Sequence, residues 1–153
     1  MSTTWHVSRV AVTGSTNDDL LAAGRDGAAH GTVLMADLQT AGRGRLDRRW
    51  DAPAGANLLV SLLLRDLGAA PHEAVRRVAL AARAAAETAG QTAHGASEIV
   101  LKWPNDLLVR GADDSAAKLA GILAQLGHSS TGPFVVVGVG MNIGWGPEGA
   151  ARL

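Results

Sequence analysis

The stretch IVLKWPNDLLVRGADDSAAKLAGILAQLGHSSTGPFVVVGV, residues 99–139, contains four β-prone runs with turn-rich segments between them. The runs cover residues 99–103, 107–109, 119–126 and 134–139. They are short, apolar and rich in β-branched residues, which favours strands. The stretch therefore predicts an antiparallel meander, and residues 111–117 (GADDSAA) are expected to be a flexible excursion between two of its strands.

Upstream of the meander, the pattern predicts two further strands and two helices. The runs TVLMADL (32–38) and NLLVSLLL (57–64) are strand-like. The cap-forming segment GSTNDD (14–19) predicts the start of a first helix, and the alanine-rich segment 71–89 predicts one long helix. This order of elements predicts an α+β fold, with a mixed, largely antiparallel sheet and helices packed on one face.

Two common nucleotide-binding motifs are absent from the sequence. The segment GVGMNIG (138–144) misses the pattern GxGxxG because Ile143 stands where a glycine is required, and no GxxxxGK[ST] loop is present. A doubly wound nucleotide-binding fold is therefore disfavoured.

The composition excludes several classes of function. The 153 residues fit one domain, and 14 basic residues balance 14 acidic ones, which argues against nucleic-acid or membrane-surface binding. Cysteine is absent, so thiol catalysis and disulfides are excluded, and the five histidines have no metal-ligand spacing. No signal peptide or membrane-spanning run is visible, and the default location is the cytoplasm. Residues 144–153 show no packed element.

The most informative segment for chemistry is QTAGRGRLDRRW, residues 39–50, which carries four arginines and one acid, Asp47. Glycines allow backbone N–H groups to approach a ligand, and guanidinium groups pair well with phosphate or carboxylate oxygens. Trp50 offers a flat apolar face for a purine. An anionic ligand fits this loop, although a solvated basic loop without a ligand is the alternative.

Lys102 is the first catalytic candidate. It stands between Leu101 and Trp103 in an otherwise apolar run, and a buried cation there requires an anion. The following residues, Pro104, Asn105 and Asp106, are equally well explained as a turn.

Other candidate positions are weaker when taken alone. Lys118 leads a strand that contains Gly121, and a glycine inside a strand often marks close approach of a ligand. The glycines of residues 138–144 can line a flat ligand, but a bend in the sheet needs them too. Ser15 and Thr16 can be explained as helix caps.

Taken together, these segments resemble the biotin protein ligase family and follow its order along the chain from about Gly14 to Gly144. The most specific are GRGRxxRxW (42–50) and KWPND (102–106). The others are STN (15–17), Gln39, GANL (55–58), KLAGI (118–122) and GVGMN (138–142). The resemblance implies the catalytic fold of biotin/lipoate ligases, which is similar to class II synthetases.

The resemblance also implies a role for each site residue. Biotin would be held by Ser15, Thr16, Gln39 and the backbone of Gly42 and Arg43, with Gly138 and Gly140 as a close wall. Lys102 would touch the biotin carboxylate and the α-phosphate of ATP. Phosphates would meet Arg45, Arg48 and Lys118. Trp50 would stack on adenine, and Asn142 would lie near the nucleotide. The other expected ligand-binding residues are Asn17, Gly44, Asn57 and Gly121.

The implied activity is that of a biotin–[biotin carboxyl-carrier protein] ligase. Biotin and ATP, with Mg²⁺, form biotinyl-5'-AMP, and biotin then passes to a lysine of a biotin carboxyl carrier protein. No metal-binding residues are predicted. The alternatives are a catalytically incomplete biotin or adenylate binder and a lipoate or octanoate ligase, and the GRGRxxRxW loop argues against the latter.

Relatives of this family differ from the chain at both ends. Their catalytic domain continues beyond the segment that matches residues 138–144 and usually ends in a small β-barrel domain, so residues 1–153 are expected to be one catalytic domain that is incomplete at the C-terminus. No DNA-binding segment is visible before Trp5. A homodimer joined through a sheet edge is left open.

Overall fold

A computed structural model describes residues 4–46, 48–65, 71–90 and 98–153, which form seven strands and two helices. In chain order these are β1 (His6–Thr13), α1 (Thr16–Arg25), β2 (Thr32–Gln39), β3 (Leu58–Leu64), α2 (Pro71–Gly90), β4 (Glu98–Lys102), β5 (Asp106–Arg110), β6 (Ala116–Ser129) and β7 (Gly132–Met141). Six of the strands and both helices match predicted segments, whose bounds differ by a few residues.

The strands form one sheet in the order β1-β2-β3-β7-β6-β5-β4. β1 and β2 pair in parallel, and every other neighbouring pair is antiparallel. Strands β4 to β7 follow one another as a meander, as predicted. The predicted class, an α+β fold with a mixed and largely antiparallel sheet, is confirmed.

The placement of the helices differs from the prediction in one detail, because they cover opposite faces of the sheet. Phe134 and Val136 of β7 pack against Leu20 and Leu21 of α1. The intervening Val135 and Val137 belong to a second cluster with Ala74 of α2. Successive strand residues point to opposite faces, so a central strand of consecutive apolar residues must be covered on both sides.

β1 is an edge strand that the sequence analysis did not identify. Its side chains are mostly exposed, including Val7 and Val12, and only Val10 packs against the core cluster below α1. A strand that buries so little shows no clear alternation of apolar and polar residues. Its position therefore depends on the parallel backbone pairing with β2.

The end of the described chain is packed, contrary to expectation. The backbone N–H of Ala151 donates to the carbonyl of Lys118 at 3.0 Å, and that of Leu153 donates to the carbonyl of Asn142 at 3.1 Å. Both side chains also pack against a cluster that includes Ala86 of α2. Backbone hydrogen bonds, which composition does not reveal, hold this segment beside the sheet.

The expected flexible excursion at residues 111–117 is a tight turn. The N–H of Gly111 donates to the carbonyl of Ser115 at 2.8 Å. Asp113 accepts hydrogen bonds from the hydroxyl and the backbone N–H of Ser115, and both bonds lower the pKa of Asp113.

Neither helix in the described ranges is long and apolar enough to cross a bilayer.

Candidate active site

A cavity of about 460 Å³ opens on the face of the sheet that carries α1. One wall is the start of α1, and a second is the arginine loop of residues 43–51. The central strands β6 and β7 form the floor, and residues 147–150 form part of the rim. This volume is in the range of pockets that enclose small molecules.

Glycines keep the floor of the cavity flat. Gly121 of β6 pairs directly with Gly140 of β7. A Cβ atom at Gly140 would lie 2.5 Å from the Trp50 indole, and one at Gly138 would lie 2.2 Å from the Asn17 carboxamide oxygen. These positions therefore admit no larger side chain without displacing the residues above them.

The first turn of α1 contributes buried polar groups to the cavity. Ser15 caps the helix by accepting a hydrogen bond from the N–H of Asp18, which confirms the predicted helix start. Thr16 donates to Gln39 Oε1 from its backbone N–H at 2.8 Å and contacts that oxygen with its hydroxyl at 2.9 Å. Asn17 donates from Nδ2 to the side-chain oxygen of Gln125 at 2.8 Å. The start of α1 is thereby tied to β2 and β6.

The arginine loop is held by a backbone bridge within it and by arginine side chains that contact neighbouring elements. Arg43 and Arg49 form an isolated β-bridge across the loop, and the guanidinium of Arg43 is paired with Asp18 of α1. Arg45 donates to Asn105 Oδ1 at 3.3 Å, which links the loop to the turn between β4 and β5. Asp47 lies outside the described residues.

The cavity lining is basic. Among the described lining residues, three carboxylates (Asp51, Asp106 and Glu148) face five cations, which are Arg43, Arg45, Arg48, Arg49 and Lys118. The chain as a whole has no net charge, so the positive charge is concentrated here. Such a lining favours a ligand with phosphate or carboxylate groups.

Trp50 lies between the glycine floor and Lys118. The Nζ atom of Lys118 is 5.6 Å from the centroid of the Trp50 ring and 2.8 Å from Asp106 Oδ1. Among the described residues, the indole N–H of Trp50 is buried without a hydrogen-bond partner. This face of the cavity therefore combines an aromatic plane with a cation.

Most of the predicted site residues meet in this cavity. Fourteen of them line it: Ser15, Thr16, Asn17, Gln39, Arg43, Gly44, Arg45, Arg48, Trp50, Lys118, Gly121, Gly138, Gly140 and Asn142. Three predicted residues do not line it: Gly42, Asn57 and Lys102.

Gly42 and Asn57 support the walls of the cavity. The carbonyl of Gly42 accepts the N–H of Trp50, and a Cβ atom at Gly42 would lie 2.3 Å from the Trp50 carbonyl oxygen. Asn57 Oδ1 accepts the backbone N–H groups of Ile143 and Trp145 at 3.0 and 3.2 Å. Both residues therefore hold backbone segments whose neighbouring side chains line the cavity.

Asn142 lines the cavity but is only 2% exposed. Its Nδ2 donates to the carbonyls of Lys118 at 3.3 Å and Ala151 at 3.0 Å, and its Oδ1 accepts from Asn57 Nδ2 at 3.4 Å. The carboxamide thus connects β6 with the end of the described chain.

Lys102 is exposed at the end of β4, at the edge of the sheet. It pairs with Asp106, which pairs with Gly121, which pairs with Gly140. Directly paired residues share a face of the sheet. Lys102 therefore lies on the cavity face, one strand beyond Asp106.

Sequence reasoning missed several polar side chains that the structure places in or beside the cavity, including Asp51 and Glu148 in its lining and Ser61, which is fully buried in β3 against Thr16 and Asn17. Asp106 was interpreted as part of a turn and of the KWPND motif and was given no role of its own. The signal for Ser61 was available, since it is the one polar residue in the run LLVSLLL. Residues 147–150 were also missed, because nothing in their composition indicates packing.

The described residues contain no group of three or more His, Asp or Glu side chains that could hold a metal ion. Asp51, Asp106 and Glu148 line the cavity as separate carboxylates.

Comparison with known proteins identifies the family. The model of the biotin/lipoate A/B protein ligase family matches residues 10–142, which include nearly all of the cavity lining. The chain belongs to this family.

Individual relatives are named biotin–[acetyl-CoA-carboxylase] ligases. The one from Mycobacterium tuberculosis is 46% identical over 142 residues, which cover 91% of this chain and 50% of the relative. The one from Paracoccus denitrificans is 38% identical over 145 residues, covering 93% of this chain and 56% of the relative. The chain thus spans about half the length of the curated relatives it matches.

Solved structures give the same result. Biotin protein ligase from Aquifex aeolicus in complex with biotin and ATP superimposes with a TM-score of 0.68 at 26% identity, covering 95% of this chain and 58% of that one. The biotin protein ligase of Leishmania major with biotin gives 0.67 at 27% identity, covering 95% and 62%.

Proposed function

We propose that the cavity binds biotin and ATP and joins them as biotinyl-5'-AMP, from which biotin passes to a lysine of a carrier protein. The observation that carries this proposal is the two-ended polarity of one cavity. Neutral hydrogen-bonding groups at the start of α1 form its inner end, and arginine and lysine side chains surround its outer part. Biotin has the same two-ended character, with a neutral cyclic urea at one end and a carboxylate at the other.

In the first step an oxygen of the biotin carboxylate forms a bond to the α-phosphorus of ATP. The bond from that phosphorus to the bridging oxygen of the β-phosphate breaks, and pyrophosphate leaves with both bonding electrons. Negative charge grows on the phosphate oxygens during this displacement. Arg45, Arg48 and Lys118 would stabilise this charge by electrostatic attraction, which lowers the barrier.

Binding of the nucleotide base is assigned to Trp50. Its indole is held against the glycine floor and carries Lys118 on one side. An adenine stacked near this ring would bring its phosphates toward the arginine loop. ATP is expected to enter as its Mg²⁺ complex, so the metal is part of the substrate.

Lys102 is assigned to the reacting carboxylate and the α-phosphate. Its place on the cavity face, one strand beyond Asp106, supports this role, since a flexible four-carbon side chain at the sheet edge can turn over Asp106 toward the cavity.

In the second step the amine of the acceptor lysine attacks the carbonyl carbon of the adenylate. The new amide bond forms, the bond from that carbon to the AMP oxygen breaks with both electrons going to the oxygen, and the proton that the attacking nitrogen loses passes to solvent or buffer. The acceptor is expected to be a biotin carboxyl carrier protein. We place the reaction in the cytoplasm, where ATP is available.

Pyrophosphate release from ATP and Mg²⁺ tests the proposal, with biotin, lipoate and octanoate compared at equal concentration. Release with biotin alone is the expected result. Release with lipoate or octanoate would assign the chain to another branch of the family. Binding of biotin without release from any acid would make the chain a binder.

A further inference from the structure

Asn57 and Asn142 meet where β3 begins and β7 ends. Leu58 pairs with Met141, so Asn57 and Asn142 are the next residues outward on the two antiparallel strands. Their carboxamides are in contact, and Asn57 Nδ2 donates to Asn142 Oδ1 at 3.4 Å. Asn57 does not line the cavity, although its motif predicts a ligand contact. Any effect of Asn57 on a ligand must therefore pass through other residues.

The Asn57 carboxamide holds the start of the segment that follows β7, here called the rim loop (residues 143–151). Asn57 Oδ1 accepts two backbone N–H groups of this loop, that of Ile143 at 3.0 Å and that of Trp145 at 3.2 Å. Two N–H groups face the same atom, so that atom must be the carboxamide oxygen. One side-chain oxygen thus fixes the direction in which the backbone leaves the sheet.

Asn142 holds the other end of the rim loop. Its Nδ2 donates to the carbonyls of Lys118 at 3.3 Å and Ala151 at 3.0 Å. The N–H of Ala151 also donates to the carbonyl of Lys118, at 3.0 Å. Asn142 is buried, so losing these bonds would leave a polar group without a partner in water. The two asparagines together tie both ends of the rim loop to the sheet.

The turn that carries Asn57 is itself fixed to the sheet. The N–H of Gly55 donates to the carbonyl of Asp37 in β2 at 2.8 Å. The N–H of Gly144 in the rim loop donates to the carbonyl of Ala56 in the turn, also at 2.8 Å. Asn57 therefore reaches the rim loop from a support that belongs to β2 and β3.

The rim loop lies at the outer part of the cavity. Between its tied ends, residues 147–150 contribute to the lining. The loop is bonded to the backbone of Lys118, whose Nζ atom is 5.6 Å from the centroid of the Trp50 ring. The start of α1 is remote from this point, because Asn17 donates to the carbonyl of Leu123. Leu123 stands five residues beyond Lys118 in β6, a separation of about 16 Å along a strand.

We propose that Asn57 is a positioning residue for the nucleotide, which acts through the rim loop by holding residues 147–150 against the outer part of the cavity. This inference rests on the proposed function and deepens it. Without Asn57 Oδ1, the N–H groups of Ile143 and Trp145 lose their acceptor, and the start of the loop is released. ATP must then order the loop when it binds, and this entropy cost weakens its affinity.

The same release predicts two further effects that differ between ligands. Biotin bound at the start of α1 does not contact the rim loop and keeps its affinity. The adenylate extends into the outer part of the cavity, where a released loop opens more often and lets it leave faster. Asn57 therefore acts on the nucleotide and on retention of the intermediate, but not on biotin.

Asn57→Ala tests this division in steady-state pyrophosphate release at varied ATP and varied biotin. We expect the KM for ATP to rise about tenfold and the KM for biotin to change less than about twofold. Adenylate formed on the variant and separated from excess substrates should dissociate about tenfold faster than from the wild type. Loss of structure alone would lower the amount of active protein without separating the two constants. Equal changes in both KM values would overturn the proposal.

Digestion with the protease Glu-C measures the rim loop directly, because this enzyme cleaves after Glu148. Without ligand, cleavage there should be at least about fivefold faster in Asn57→Ala than in the wild type, since the loop opens locally more often. Glu98, which is exposed on the edge strand β4, is the internal reference. Cleavage after Glu148 at the wild-type rate would overturn the proposal.

Asn57→Asp separates the acceptor oxygen from the rest of the side chain. It keeps the oxygen that accepts from Ile143 and Trp145 and loses only the donor to Asn142. Cleavage of the rim loop should therefore be slower than in Asn57→Ala, and equal rates would show that the two N–H bonds do not hold the loop. Should Asn57→Ala not fold, Asn57→Ser takes its place, because its shorter side chain withdraws the oxygen from both N–H groups.

Asp113→Ala is the matched control. Asp113 also accepts a backbone N–H within a turn, that of Ser115 at 3.1 Å, and it does not line the cavity. This variant should leave the KM for ATP, the retention of the adenylate and the cleavage after Glu148 unchanged. A rise in the KM for ATP as large as that of Asn57→Ala would show that loosening any turn has this effect, which would overturn the proposal.

The digestion without ligand also separates this inference from the proposed function. A wild type that binds ATP but releases no pyrophosphate with biotin would overturn the proposed function, and calorimetry with ATP would still measure the effect of Asn57. A wild type that binds no ATP would overturn both, because Asn57 would have no nucleotide to position.

Discussion

The Nζ atom of Lys118 lies 2.8 Å from Asp106 Oδ1, although the two residues belong to different strands. Asp106 begins β5 and pairs with Gly121, and Lys118 stands three residues before that glycine in β6. The ion pair holds the lysine beside the Trp50 ring at the outer part of the cavity. Asp106 thus positions a cation that the proposed reaction uses.

Asp106→Asn should weaken ATP more than biotin, because the substitution releases Lys118 from this position without removing its charge. We expect the KM for ATP to rise about tenfold, equivalent to about 1.4 kcal/mol. Steady-state pyrophosphate release measures this change, and Asp113→Asn in the remote turn serves as a control. Equal changes in the constants for ATP and biotin would contradict a positioning role for Asp106.

Lys102→Ala should slow adenylate formation at least about 100-fold, because its charge would act on the reacting groups. The exposed position of Lys102 predicts an unchanged Tm. Arg110→Ala is a suitable control, since Arg110 is paired with Glu98 at 3.5 Å and does not line the cavity. A fully active Lys102→Ala variant would remove this residue from the mechanism.

Trp50→Ala should weaken ATP about tenfold or more through the loss of base stacking and should affect biotin less. Calorimetric titration with each ligand separates the two effects. Trp5→Ala, which changes a half-exposed tryptophan before β1, should alter neither affinity. A loss of biotin affinity equal to the loss of ATP affinity would argue against stacking on adenine.

Gly140→Ala should displace Trp50, because the new Cβ atom would lie 2.5 Å from the indole. We expect weaker ATP binding and a changed tryptophan fluorescence spectrum. Gly90→Ala introduces the same group 3.7 Å from Leu153, an ordinary contact, and should change neither property. Wild-type affinity for ATP in Gly140→Ala would show that the close fit of Trp50 to the floor is unimportant.

Biotin with ATP should protect the arginine loop from trypsin, which cleaves after its arginines. The loop is exposed at Arg43, Arg45, Arg48 and Arg49, and a bound adenylate would hold these side chains. Mass spectrometry of early cleavage products measures the effect, with the exposed Arg76 of α2 as an internal reference. Unchanged cleavage at the loop would count against closure over the ligand.

The parts of the fold that the sequence predicts are those with strong local patterns. The runs that became β2, β3, β6 and β7 are apolar and β-branched, and the first helix begins at a capping serine. β1 was not predicted because it is an edge strand whose valines Val7 and Val12 are exposed. α1 and α2 lie on opposite faces of the sheet because alternate side chains of β7 point to opposite faces. The sequence contains this alternation, but the order of the elements alone does not reveal it.

Site residues that belong to sequence motifs were predicted. Site residues that meet only because strands pair in a particular register were missed. Asp106 reaches Lys118 because β5 and β6 pair with an irregularity between Leu107 and Leu108, which no local pattern indicates. Ser61 reaches Thr16 and Asn17 across 45 and 44 residues of sequence. Contacts of this kind follow from tertiary packing and not from the chain order.

The most direct test of the central claim is to incubate the chain with biotin, ATP and Mg²⁺ and to analyse the small molecules it retains by mass spectrometry. We predict biotinyl-5'-AMP in the protein-bound fraction, present with biotin and absent when lipoate or octanoate replaces it. Recovery of unreacted biotin and ATP without any adenylate would contradict the proposal that this cavity joins the two molecules.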